Sequence, residues 1–181
     1  MRELVRMLLE IARLESGTVI VHREAVSVVE MFAHLERQFA PVARAKALTF
    51  ASEPSAHVID TDPALLRGLL ANLIANALRY TPQGEVRLQS TAVANGSLHL
   101  AVRDTGIGIP EHELGAIFND FRRLGQAQRL SNEGFGLGLG LVRRVSALLE
   151  LPVHVESTVA RGSTFTVEVP PAKVSSAFAV P

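Results

Sequence analysis

The chain has 181 residues, with 18 lysines and arginines balancing 18 aspartates and glutamates. That length suits one domain with a short appendage, and the balanced charge gives no basic excess for a nucleic-acid or anionic-membrane partner. The absence of cysteine excludes disulfides and thiolate chemistry, and no apolar run approaches the ~18 residues that read as a membrane span.

Met1-Arg2-Glu3-Leu4 lacks the apolar core of a signal peptide. From residue 4 to about 15, Leu4, Leu8, Ile11 and Leu14 recur at helical spacing and form one stripe. Ser16-Gly17 supplies a stop, and Thr18 to Val21 is a β-prone run. Ser27 and Glu30 form a capping box, with Val26 as a hydrophobic staple, opening a helix with Val29, Phe32, Leu35 and Phe39 on one face. Two short strands are expected at Leu48–Ala51 and His57–Ile59. Asp62 and Pro63 are a cap and a first helical residue, predicting a helix to about Tyr80.

Glu85–Val93 and Ser97–Asp104 read as strands joined across Asn95-Gly96, a hairpin signal. A glycine-rich loop, Asp104 to Pro110, precedes a short helix over Glu111–Phe118. Residues 119 to 135 show no clean periodicity and read as a long mobile loop. A helix is expected over Gly138–Glu150, then a hairpin of Val153–Ser157 with Ser163–Val169 turning at Ala160-Arg161-Gly162. The tail after Pro170 reads as a linker. This order predicts an α+β fold, a two-layer sandwich with a mixed sheet of about five strands packed on three helices. The first helix lies outside it, its stripe lacking a partner helix.

Four segments carry candidate chemistry. Asn72 and Asn76 are four apart and share a helix face; an amide oxygen suits magnesium, which bridges substrate phosphates. Taken alone, they read better as a satisfied polar pair. Asp104-Thr105-Gly106-Ile107-Gly108 ends a strand, where the carboxylate can accept from an exocyclic amine, although an ordinary turn has the same pattern. Gly134-Phe135-Gly136-Leu137-Gly138-Leu139 places glycines before a helix N-terminus, a phosphate cradle or simply a hinge. No Gly-Lys-Ser/Thr follows, so it is not a Walker A loop. Arg161-Gly162-Ser163-Thr164-Phe165 alone is a tight turn.

In this order the segments resemble the nucleotide-binding boxes of the histidine kinase catalytic domain, within the family that includes DNA gyrase and the chaperone and mismatch-repair ATPases. Asn72–Thr81 resembles the N box, Asp104–Gly108 the first glycine box and Phe118-Asn119-Asp120-Phe121 the F box. Gly134–Leu139 resembles the second glycine box and Gly162–Phe165 the last. The likeness covers residues 24 to 170, and Arg13-Leu14-Glu15-Ser16-Gly17 resembles the end of a second dimerisation helix. It therefore implies dimerisation helix over 1–16, an ATP-binding domain of Bergerat type over 17–170, and a linker or tail over 171–181.

The resemblance also implies roles. Asn76 would hold magnesium, with Asn72, Arg79 and Tyr80 beside the nucleotide. Asp104 would bind the adenine amino group, with Gly106, Gly108 and Ile109 around it. Phe118, Phe121 and residues to Phe135 would form a lid, with Arg123 at the γ-phosphate. Gly134, Gly136, Leu137, Gly138 and Leu139 would wrap the phosphates, and Thr164 would complete the ATP site. Asn76, Arg79 and Arg123 would be the catalytic residues. The implied partners are a histidine-bearing dimerisation domain of a homodimeric parent and a response regulator receiver domain, on the cytoplasmic side whether or not the parent is membrane-anchored.

Water-activating relatives have a glutamate where this chain has Asn72, and an amide cannot take a proton as a carboxylate can. None of the six histidines matches the acceptor motif. Leu151-Pro152-Val153 stands where many relatives have His-Gly-Gly, remote from the phosphates. The rival reading is a nucleotide-binding regulatory module without phosphoryl transfer; a gyrase-like hydrolase is disfavoured by Asn72.

Overall fold

A computed structural model describes residues 2–119 and 136–176. Helix α1 spans Arg2–Glu15 and ends where Gly17 takes a φ of 64°. It lies against helix α5 (Gly138–Leu149), and Arg144 of α5 pairs with Glu15 at 2.6 Å. The expectation that α1 lacks a partner helix is thus corrected: Ile11 is buried and Leu14 packs on the core, while Leu8 stays exposed.

Thr18 to Val21 is not a strand. β-propensity acts only where a sheet edge is on offer, and the available edge is taken by β1 (Glu24–Ser27), antiparallel to β3 (His57–Thr61). Helix α2 (Val28–Ala45) opens with Ser27 Oγ accepting from Glu30 N at 3.4 Å. Its buried face is Val28, Met31, Phe32, Leu35, Phe39 and Ala43. Val29, expected inside, is exposed; Val28 takes its place, one turn before Phe32 and two before Leu35, on the same helix face.

Strand β2 (Thr49–Glu53) runs parallel to β4 (Glu85–Ala92). Between them lie β3 and α3 (Pro63–Tyr80). Asp62 caps α3, its Oδ1 accepting from Ala64 N and Leu65 N, both at 3.0 Å. Its Oδ2 accepts from His22 N at 3.0 Å, fastening the preceding linker to the same helix end. Leu66, Leu69, Leu70, Leu73, Ile74, Ala77 and Leu78 make α3 the central core helix.

β4 and β5 (Leu98–Asp104) form the expected hairpin, with Gly96 at a φ of 86°. Helix α4 is shorter than expected, Glu111–Leu114. Strands β6 (Val153–Thr158) and β7 (Gly162–Val169) form the last hairpin.

The main sheet has the order β2-β4-β5-β7-β6 and is mixed, since only β2–β4 is parallel. Its inner face packs on α2, α3 and α5 in one continuous core, giving the α+β two-layer sandwich. A second, three-stranded sheet, β1-β3-β8, was not foreseen. Its last strand β8 (Val174–Ser176) pairs with β3 and follows a 3-10 turn at Pro171–Lys173. Residues 171–176 are therefore folded structure where the sequence suggested a linker. Lys173 holds them down by donating to Leu149 O at 2.7 Å and to Glu150 at 2.9 Å.

Phe32 is fully buried. Phe32→Ala is expected to cost about 3–5 kcal/mol through lost burial and a cavity, read as a lowered urea midpoint with an unchanged slope.

Candidate functional site

Helix α3 carries Asn72 and Asn76, both half-buried, on the side that meets α5. Asn72 Nδ2 donates to Gly68 O one turn back at 2.8 Å. The Asn76 amide has no hydrogen-bond partner among the described residues. Gly138, the first residue of α5, sits directly on the pair. A Cβ there would stand 3.4 Å from Asn72 Oδ1 and 3.6 and 3.7 Å from Asn76 Nδ2 and Oδ1. Leu137, the N-cap of α5, offers no side-chain cap. Among the described residues no side chain caps the first helical N–H groups of α5, which lie in the positive end of the helix dipole. Leu137 is buried, Leu139 packs on the core, and Gly136 has a φ of 71° that favours glycine.

Asp104 ends β5. Leu98, Leu100 and Val102 fill the core, and with period two Asp104 continues their row toward the helices. Asp104 is 7% exposed, and its Oδ1 accepts from Gly106 N at 2.8 Å and from Ser163 N at 3.2 Å. Burial pushes its pKa above the ordinary carboxylate value, against the opposing pull of those two N–H groups. Oδ2 takes part in neither bond and is left for a ligand donor.

The glycine loop is clamped from both sides. Ile107 N donates to Tyr80 O at 3.2 Å, and Ala160 N donates to Ile107 O at 2.8 Å. A Cβ on Gly106 would run into Tyr80 O, and one on Gly108 into Thr158 O. Ile109 is buried and its N–H donates to Ser157 Oγ at 2.7 Å. Arg79 and Tyr80, both half-buried, close α3 beside this loop. Asn76 and Tyr80 are one turn apart, roughly 6 Å along the helix axis, so α3 links the asparagine pair to the Asp104 loop. Phe118 stands edge-on to Phe165 of β7, centroids 6.5 Å apart at 88°.

The structure therefore brings together Asn72, Asn76, Arg79, Tyr80, Asp104, Gly106, Gly108, Ile109 and the Gly136–Leu139 segment. Thr164 is placed differently. It is level with Arg103 and Glu156 in the sheet register, on the face opposite Asp104, and Ser163 is the residue that meets the carboxylate. Phe121, Arg123, Gly134 and Phe135 lie outside the described residues. Sequence reasoning missed Ser163 and Ser157. Strand alternation could have found Ser163, since Phe165 and Val167 fix the inward face; nothing local marked Ser157.

Residues 61–173 match the histidine kinase-, DNA gyrase B- and HSP90-like ATPase family, and the chain belongs to that family. Within it, the relatives are sensor histidine kinases. The chain is 42% identical over 114 residues to the circadian input-output histidine kinase CikA of Synechococcus elongatus, covering 62% of this chain and 15% of CikA. It is 32% identical over 166 residues to the aerobic respiration control sensor protein ArcB of Escherichia coli K12, covering 90% of this chain and 21% of ArcB. Full-length ShkA, crystallised with AMPPNP, superposes with a TM-score of 0.80 at 29% identity, covering 93% of this chain and 35% of that one. The catalytic domain of histidine kinase ThkA shares the fold, with a TM-score of 0.70 at 21% identity over 83% of this chain and 96% of that one. The chain thus spans about a fifth or less of the curated relatives' length.

Proposed function

We propose that this chain is the ATP-binding catalytic domain of a bacterial two-component sensor histidine kinase. It transfers the ATP γ-phosphoryl group to a histidine on a dimerisation domain of the same homodimeric parent, for onward passage to a response regulator receiver domain. On this reading residues 1–16 belong to the second dimerisation helix, and the domain works on the cytoplasmic side of its parent. Among the described residues no helix is long and apolar enough to cross a membrane.

The observation that carries the reading is the junction of α3 and α5, where Asn72 and Asn76 face Gly138 at a helix N-terminus that no side chain caps among the described residues. The fit to magnesium rests on the Asn76 amide, which has no hydrogen-bond partner among the described residues and offers a hard oxygen donor beside N–H groups suited to phosphate. Asn76 would hold the ion, which when bound neutralises charge on the phosphates. Arg79, and Arg123 from the lid segment, add positive charge for the γ-phosphoryl oxygens. Asp104 accepts from the adenine amino group. The acceptor imidazole, neutral and already nucleophilic, forms its bond to the γ-phosphorus as the bond to the β–γ bridging oxygen breaks and ADP departs. That step needs alignment and charge stabilisation more than a base, which suits an amide at position 72.

Calorimetric titration with magnesium and ATP tests the site; weak but saturable binding is expected, and no binding at millimolar nucleotide would contradict it. Incubated alone with ATP, the chain is expected to label none of its six histidines, since none matches the acceptor motif. Acid-labile phosphate on His22 or His34 would overturn that expectation.

A further inference from the structure

Ser157 lies in β6, outside every nucleotide box, yet it is the best-connected hydroxyl at the site. In the sheet register it is paired with Ser163, and Arg103 is paired with Thr164, so Asp104 comes next to Ser163. Asp104, Ser163 and Ser157 form a polar row across β5, β7 and β6, at the end of the sheet that bears the glycine loop.

The bonds of Ser157 Oγ can be assigned by valence. It lies 2.7 Å from Ile109 N, which can only donate, and 3.0 Å from Gly162 O, which can only accept. Its single proton therefore goes to Gly162 O, and the contact to Ser163 Oγ at 2.9 Å must be donated by Ser163. One donated and two accepted bonds use the full capacity of a hydroxyl. Through them Ser157 ties the end of the first glycine loop to the start of the last hairpin. Both segments hold the adenine-directed carboxylate: Gly106 N and Ser163 N both donate to Asp104 Oδ1. The tolerance is small, because a Cβ on Gly162 would collide with Asp104 O.

We infer that Ser157 is a positioning residue that sets adenine selectivity by locking the glycine loop and the last hairpin onto Asp104. The inference rests on the ATP reading above. Ser157→Ala leaves the Ile109 N–H and the Ser163 hydroxyl without their partner, and Ser163 N is then free to drift from Oδ1. The carboxylate loses its fixed aim at an amino group that adenine has at that edge and guanine lacks. Loss of the lock should therefore fall on adenine nucleotides.

The test is calorimetric titration of the whole chain with ADP and with GDP, for the unsubstituted protein, Ser157→Ala and Ser157→Thr. Ser157→Ala should weaken ADP about tenfold and GDP less than about twofold, collapsing the ratio of the two constants. Ser157→Thr keeps the hydroxyl on a strand that favours β-branching and should restore the ratio. A merely structural role would reduce the folded fraction and leave that ratio unchanged. If Ser157→Ala does not fold, Ser163→Ala removes one accepted bond, and a smaller fall in the same ratio is expected. An unchanged ratio in the folded variant, or equal losses for both nucleotides, overturns the inference while leaving the ATP reading standing. Failure of the unsubstituted chain to bind ADP overturns both.

Discussion

Asn76→Ala is expected to lower the proposed phosphoryl transfer to a dimerisation domain by at least about 10²-fold, while the domain keeps its fold. The expected loss follows from the chemistry of the pair. Among the described residues the Asn76 amide has no hydrogen-bond partner, it lies one turn from Arg79 and Tyr80, and Gly138 packs against it. Alanine removes that oxygen at a half-buried helical position where it is the best helix former. Asn72→Ala is expected to cost less, because on the proposed reading it removes no metal ligand. Initial rates of label transfer, with melting curves as the control for folding, check both. Asn72→Glu is the complementary change: a carboxylate there can take a proton from water, and slow release of inorganic phosphate is expected.

Asp104→Asn is expected to lower adenine-nucleotide affinity at least about tenfold without destabilising the protein at neutral pH. An asparagine oxygen still accepts from Gly106 N and Ser163 N, but its amide now presents N–H groups to the adenine amino group, donor against donor. The stability expectation comes from burial, which raises the Asp104 pKa. A carboxyl raised in the folded state contributes stability below its unfolded pKa, and that contribution is lost as pH rises through the folded value. Above that folded value the carboxylate is a destabilising group, which the proposed binding role would retain, and the neutral amide escapes that penalty. Melting temperatures at pH 7 equal to or above the unsubstituted value, with weakened ADP and little-changed GDP, are the expected pair of results. Adenine binding should also fade on acidification at a pH above the ordinary aspartate range.

Much of this was legible before folding, for identifiable reasons. The caps at Ser27 and Asp62 are local hydrogen bonds between near neighbours, so residue order alone predicts them. The hairpin turns at Asn95-Gly96 and Ala160-Arg161-Gly162 were equally local, with Gly96 and Gly162 at positive φ. The α3 and α5 boxes were legible because their asparagines and glycines keep helical or alternate spacing. What stayed hidden depends on partners distant in sequence. Strand β8 exists because β3 offers it an edge. The burial of Val28 in place of Val29 is decided by packing against other elements. Ser163 rather than Thr164 faces Asp104 because of register across β5 and β7. Ser157 gains its role only when β6 and β7 pair.

On the proposed reading the site transfers a phosphoryl group to histidine rather than to water. The most direct measurement uses ATP labelled at the γ-phosphate, magnesium, this chain and the histidine-bearing dimerisation domain of a sensor kinase, with protein label and free phosphate counted together. Acid-labile label on the added domain's histidine, with little free phosphate, is the expected result. Steady release of inorganic phosphate with no label on histidine would contradict it.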